Sequence, residues 1–304
     1  MAFGLQTYQD TVRREDLIDL IADVSPDENP LSTMLGQTTA SQTLHEWTED
    51  YIARPTSVSA SVEGASATYD DLTQPRRRNN ITQIISKTYR VSGTERAVSV
   101  AGMGDPMDYQ AAKALKEWKN NLEFALIRST FASGDSGVAR QMTGIAAAIT
   151  THYTARNSGT SLSETEFNAM VSEVWSDVGH SDVFDLVLVP MGLRQKISTF
   201  TAGSTRYVDA SDKRLTRPVM VYESDGGIHK IMAHKDIYNS TTTPGPTFLG
   251  IKEDKYKIAW LRKPKKELLA KDGDRDNAQI VGEATLEIRG ERSSVRRSGY
   301  ALNG

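Results

Sequence analysis

The chain has 304 residues, 38% hydrophobic and 25% charged, with no cysteine and a net charge of −3. These are globular proportions, and the missing thiols exclude disulfides, thiolate catalysis and cysteine zinc sites. No apolar run approaches the ~20 residues of a membrane helix, and Met1–Asp10 has neither the basic nor the apolar region of a signal peptide, so synthesis in the cytoplasm is expected.

The charge is unevenly spread. Residues 1–104 carry 9 basic and 14 acidic side chains, whereas residues 255–304 carry 12 and 7. A nucleic-acid binder would show a basic excess overall, so this asymmetry suits contacts between copies, or pairing of the two ends, better. A solvated surface without any partner is the plainer reading.

In chain order, Arg14–Val24 places Leu17, Ile18, Leu20 and Ile21 on one helical face before Pro26 stops it. Leu31, Met34 and Leu35 form a short apolar group ending at Gly36, and Thr38–Tyr51 turns strand-like. Ile52–Gln74 is rich in Ser, Thr, Ala and Gly, and its Val58, Ala60 and Val62 alternate with serines as the flank of a two-stranded ribbon would. Such a segment cannot bury itself, so it must lie on something else, plausibly another copy. Arg76, Arg77 and Arg78 follow, then a returning strand over Ile81–Val100.

Asp105-Pro106-Met107-Asp108 supplies a cap, a proline at the first helical position and a first-turn carboxylate. The spacing predicts a helix over about 106–132, with Ala111, Leu115, Trp118, Leu122, Ala125 and Ser129 as its buried stripe and Lys113, Lys116, Lys119 and Glu123 on the exposed back. Beyond it come a helix over Glu164–Val178, a strand over Phe184–Val189, a short helix over Leu193–Phe200, and strands near Val219–Glu223 and Ile228–Ala233. Thr201–Arg214 and Ser240–Thr247 read as exposed connections, and Tyr256–Leu261 and Ile280–Ile288 as strands. The sum is an α+β chain.

Three motifs invite a chemical reading. Gly134-Asp135-Ser136-Gly137 copies the string around a trypsin-type nucleophile, but no histidine segment precedes it beyond His45, and it is expected to be a loop. Asp272, Asp274, Asp276 and Glu283 hold the spacing of a calcium loop, yet Asn277 stands where that loop needs glycine, so a polar hairpin connection is expected. His45, His152, His180, His229 and His234 show no ligand spacing. No metal, cofactor or catalytic residue is assigned.

The order of parts, loose acidic arm, core-poor ribbon, capped strut helix, mixed subdomain and returning strands, resembles the Hong Kong 97-like fold of tailed-bacteriophage major capsid proteins. The strings Arg14-Glu-Asp-Leu-Ile-Asp-Leu-Ile21, Glu46-Trp-Thr-Glu-Asp50, Asn80-Ile-Thr-Gln-Ile84, Val91-Ser-Gly-Thr-Glu-Arg-Ala-Val98, Val221-Tyr-Glu-Ser-Asp-Gly226 and Gly282-Glu-Ala-Thr-Leu-Glu287 resemble the podovirus branch related to coliphage SU-ten. The resemblance implies an N-terminal arm and docking helix at 1–45, an extended β-hairpin loop at 46–98, a peripheral domain with its spine helix at 99–139, an axial domain at 140–262, and return strands of the peripheral domain at 263–304. It implies a non-enzymatic subunit that builds hexamers and pentamers of an icosahedral virion shell around double-stranded DNA in the bacterial cytoplasm. Partners would be further copies of the chain, a portal, and scaffolding or cement proteins, with packaged DNA nearby and no membrane. The first helix arrives by Arg14, which favours a separate scaffold. A cytoplasmic α+β hydrolase is the alternative.

Candidate contacts between copies are Asp10, Glu15, Asp16, Glu63, Asp70 and Asp71 on the acidic side. Arg76, Arg77, Arg78, Lys263, Lys265, Lys266, Arg289, Arg292, Arg296 and Arg297 are candidates on the basic side. Leu115, Trp118, Leu122 and Ala125 are the expected spine-helix core.

Overall fold

The computed structural model describes residues 29–52, 55, 57–67, 69, 74–98, 104–200, 220–239 and 244–301. The expected helix at Arg14–Val24, the connection at Thr201–Arg214, and Asp10, Glu15, Asp16, Asp70 and Asp71 lie outside them.

The elements are α1 (Pro30–Met34), β1 (Gly36–Thr39), β2 (Leu44–Glu49), β3 (Arg76–Ile81), β4 (Gln83–Ser92), α2 (Gly93–Ala97), α3 (Pro106–Arg128), α4 (Ile145–Ala148), β5 (Tyr153–Thr160), α5 (Glu164–Val178), β6 (Leu186–Val189), α6 (Met191–Ile197), β7 (Met220–Ser224), β8 (Gly227–Ala233), β9 (Thr247–Ile251), β10 (Tyr256–Leu269), β11 (Arg275–Ile288) and β12 (Val295–Tyr300). The strands form a four-stranded sheet in the order β1-β10-β11-β4, a six-stranded sheet in the order β5-β12-β9-β6-β8-β7, and the ribbon β2-β3. No described helix is long and apolar enough to cross a membrane.

The chain divides into two compact units. The smaller holds the described residues of 86–118 and 265–281, and the larger those of 29–85, 119–264 and 282–301, so that α3, β4, β10 and β11 each run through both. In the smaller unit Val91, Met107 and Ala278 pack with Tyr89. Arg96 reaches Asp105 at 2.7 Å and Asp276 at 2.6 Å there; the Arg96 bond holds the Asp105 carboxyl below its usual range, and Asp276 is held below its own by Lys271 first and Arg96 second. In the larger unit Phe167 stands edge-on to Phe184, Phe200, Tyr222 and Phe248, at the centre of a core closed by Val187, Val189, Ile231 and Val295.

The start of α3 follows its sequence: Asp105 accepts from Met107 N at 2.8 Å, and Pro106 takes the first position. It ends at Arg128, short of 132, because the chain beyond is claimed by other partners. Ser129 O accepts from Gly144 N, and Ala132 pairs with Gln141. Two details of its stripe need correction. Leu115 is 38% exposed and Ala114 takes the buried place, while Trp118, Leu122 and Ala125 are buried as expected. Glu123, assigned to the solvated back, is fully buried.

Two further corrections concern strands. The ribbon is made by β2 and β3, Leu44 opposite Ile81 through Glu49 opposite Arg76, and the alternating Val58, Ala60 and Val62 lie in no strand. The stretch 263–304 is not one return segment either. Val295–Ser298 pairs antiparallel with Thr247–Gly250, and Arg296–Ser298 parallel with Tyr153–Ala155, which places β12 in the sheet of the 140–262 region.

Candidate assembly surface

The ribbon carries the arginine triplet along a strand. Arg77 approaches Glu46 at 3.6 Å, Arg78 bonds Glu49 at 3.2 Å, and Arg76 is exposed. Glu49 is the junction at the ribbon's root. Its carboxylate also accepts from Trp47 Nε1 at 3.3 Å, the Tyr51 hydroxyl at 3.1 Å and the backbone N–H of Gly290 at 3.1 Å. Burial, followed by the Glu49 charge, raises the Tyr51 phenol above its ordinary pKa, and Arg292 stacks on its ring at 4.8 Å while bonding Asp177 at 3.2 Å. A cavity of about 900 Å³ opens beside this junction, lined among others by Asp50, Tyr51, Asp177, Lys255 and Arg292.

Asn80 fixes the other end of the ribbon. Its Nδ2 donates to Thr143 O and Leu286 O, and its Oδ1 accepts from Thr143 N and Ile81 N, so a buried amide has every direction satisfied. Two residues on, the Thr82 hydroxyl donates to Glu283, which Arg140 and Arg262 also hold. The presumed calcium spacing therefore resolves into ion pairs and a hairpin connection: Asp272 takes Arg275, Asp276 takes Arg96 and Lys271, and Glu283 faces two arginines. Gly134–Gly137 is a tight turn closed by Asp135 and Val138, with positive φ at both glycines and Ser136 exposed.

Between the ribbon strands the chain leaves the core. Ile52, Val58 and Tyr69 are 99%, 93% and 95% exposed, in a segment with no helix or strand among its described residues. Nothing in ordinary solubility favours four large apolar side chains, Val62 included, held out in water.

Of the basic candidates, the structure engages several within the chain. Arg297 is 3% exposed, donating to His152 O at 2.8 Å and to Glu173, and is corrected from a contact residue to an internal one. Arg296 donates to Ala146 O and stacks on Tyr153, Arg289 bonds Glu287, and Arg292 bonds Asp177. Lys265 and Lys266 are exposed on β10, the latter 3.7 Å from Asp108. Glu63 is exposed in a turn.

Sequence reasoning missed the pair Ser224–His229, 2.7 Å between Oγ and Nε2. His229 Nδ1 lies 2.8 Å from Phe184 O, a carbonyl that can only accept, so Nδ1 carries the hydrogen and Nε2 accepts from the serine. The distance is that of a nucleophile and its base, but the surroundings are those of a hairpin. The imidazole lies against Phe167 and Phe184, Gly226 N donates to the same Oγ, and neither residue lines the cavities described at the ribbon. Burial pushes His229 down to about 4 despite the carbonyl bond. In the unfolded chain the ring titrates near ~6.5, so between ~6.5 and ~4 the unfolded state binds a proton that the folded state refuses. This contribution to stability is complete above that window and is lost as pH falls through it, by roughly 3 kcal/mol. Urea unfolding at about pH 7 and about pH 4.5 should show the loss, and His229→Gln should flatten it.

Long helix, four-stranded and six-stranded sheets, and an extended solvent-borne segment between the ribbon strands make up a Hong Kong 97-type capsid fold. The capsid asymmetric unit of cyanophage A-1(L) superposes with a TM-score of 0.68 at 13% identity, over 97% of this chain and 99% of that one. A chain of Microbacterium phage Oxtober96 superposes with a TM-score of 0.63 at 11% identity, over 95% and 96%. The family model described as SU10 major capsid protein matches residues 4–301. The major capsid protein of Escherichia phage Phieco32 is 31% identical over 121 residues, 40% of this chain, and the match spans about a third (34%) of that relative's length. The chain belongs to the SU10 major capsid protein family, and it is a tailed-phage major capsid protein.

Proposed function

We propose that copies of this chain assemble as hexamers and pentamers into a closed icosahedral shell around the double-stranded DNA genome, in the cytoplasm of a bacterial host. A portal, and a scaffolding or cement protein, would be its partners in that shell, and it would work without a cofactor. The observation that carries this reading is the segment holding Ile52, Val58, Val62 and Tyr69, whose apolar side chains are almost wholly exposed in a chain that closes its own cores elsewhere. Burial of that segment against neighbours would couple its ordering to assembly. In this reading 1–45 is the arm, 46–98 the extended loop, 99–139 the peripheral spine, and 140–262 with β12 the axial domain.

The test is electron microscopy and light scattering of the purified chain. Closed shells or capsomer rings support the reading, and a monomer with hydrolytic turnover supports the hydrolase instead. Limited proteolysis gives a second readout. Ile52–Arg78 should be cut readily in unassembled subunits and be protected in shells. Equal cleavage rates in both states would show that the segment stays exposed after assembly.

A further inference from the structure

The topology of the six-stranded sheet constrains the order in which it can be put together. β6, β7, β8 and β9 are neighbours along the chain as well as in the sheet, and β7 and β8 close on each other where Ser224 faces Gly227. β12 is different. It lies between β9 and β5, and β5 has no other partner strand among the described residues. At about 4.8 Å per strand spacing, β5 and β9 stand roughly 10 Å apart, too far to bond each other, so no smaller sheet holds β5 until β12 arrives.

The bonds that seat β12 reach far along the chain. Arg297 donates to His152 O at 2.8 Å across 145 positions and to Glu173 across 124, and the Tyr300 hydroxyl donates to Glu166 at 2.8 Å across 134. The bond of His229 to Phe184 O spans only 45. Closure entropy grows with the loop closed, and parallel pairing of distant strands, as Arg296–Ser298 makes with Tyr153–Ala155, is slow to form. The seat is also narrow. Gly299, at φ +87°, passes so close to β5 that any side chain there would run into Arg156 O, while Gly299 N and Tyr300 N donate to Pro246 O at 3.0 and 3.1 Å. Once seated, the strand puts Val295 and Tyr300 into the core around Phe167.

We propose that β12 is a late-closing latch: the strands β6–β9 pair first, β12 then seats and recruits β5, and only the latched subunit joins a shell. Before seating, the facing edges of β9 and β5 and the core under Val295 and Tyr300 stay open. The gate on assembly rests on the shell-forming reading above, whereas the order of pairing is a property of the single chain.

The experiment is pulsed hydrogen exchange during refolding of the full chain from urea, read by mass spectrometry of peptides from each strand. Amides of β6 and β8 should gain protection first, and those of β5 and β12 should gain it together in a phase at least about threefold slower. Protection of β12 in step with β6 and β8, or of β5 ahead of β12, overturns the latch. Gly299→Ala should slow the second phase by roughly threefold or more and leave the first within about twofold. An unchanged second phase overturns the narrow seat as the slow step, and the parent protein carries the test if the variant fails to fold. Samples taken during refolding and moved to assembly conditions should form shells, followed by light scattering, in proportion to the β12-protected fraction. Shells that grow with the β6 and β8 fraction instead overturn the gate while the order of pairing stands. A parent that folds in this order and never forms shells overturns the shell-forming reading and the gate with it.

Discussion

Replacing Glu123 with alanine is expected to destabilise the chain by about 3 to 5 kcal/mol, the cost of stranding the partners of a buried charge. The carboxylate sits on α3, fully buried, and accepts from Leu31 N at 2.7 Å, Ser32 N at 2.9 Å and His234 Nε2 at 2.9 Å. The first two are N–H groups of the opening turn of α1, which have no acceptor within that helix. His234 is fixed from its other side, since Asp236 N donates to Nδ1, leaving Nε2 to carry the hydrogen given to Glu123. Alanine would leave three donors without an acceptor at once, two of them buried and Ser32 N part-buried, each costing about 1 to 3 kcal/mol where water cannot enter. Glu123→Gln keeps the shape and one acceptor oxygen, and should recover part of the loss. Urea unfolding of the three proteins decides the matter, and an unchanged midpoint for Glu123→Ala would show that the network adds nothing.

Glu123 also illustrates why part of the molecule was not legible in the sequence. Helical periodicity located α3 to the residue at its start, because a cap, a proline and a stripe all act within one segment. The same periodicity placed Glu123 on the solvated back, because its partners lie 111 and about 92 positions away in sequence. Glu49, Asn80 and Glu283 were invisible for the same reason: each satisfies groups from distant strands, and nothing local distinguishes such a residue from a surface polar one. A weak signal did exist, in that Glu283 and Glu287 interrupt the mostly apolar second half of β11, Ile280–Ile288, where an unpaired carboxylate would be costly. The extended segment shows the reverse. Its poverty in large apolar residues correctly marked it as unable to bury itself, yet its alternation suggested a ribbon that β2 and β3 make instead. A period of two records readiness to pair and is silent about the partner. The arginine run near the C-terminus was misjudged by counting charge without partners, since Arg297 belongs to Glu173 and His152.

Trp118→Ala should cost about 3 to 5 kcal/mol, through lost transfer energy and the cavity left where the indole was. The argument rests on one helix having two kinds of apolar position. Trp118 is 2% exposed and Leu122 and Ala125 continue its buried stripe, whereas Leu115, three residues earlier, is 38% exposed. A helix turns 100° per residue, so a stripe at spacings of four, four and three, Ala114 to Trp118 to Leu122 to Ala125, drifts slowly enough to stay on one face. Leu115 lies one position off that line. Its replacement by alanine should therefore cost under about 1 kcal/mol, as for a side chain that already meets water. Measuring both by thermal and urea unfolding tests the assignment of the face. Equal losses at the two positions would mean that Leu115 is covered in the folded protein, and a small loss at Trp118 would mean that the stripe is misplaced.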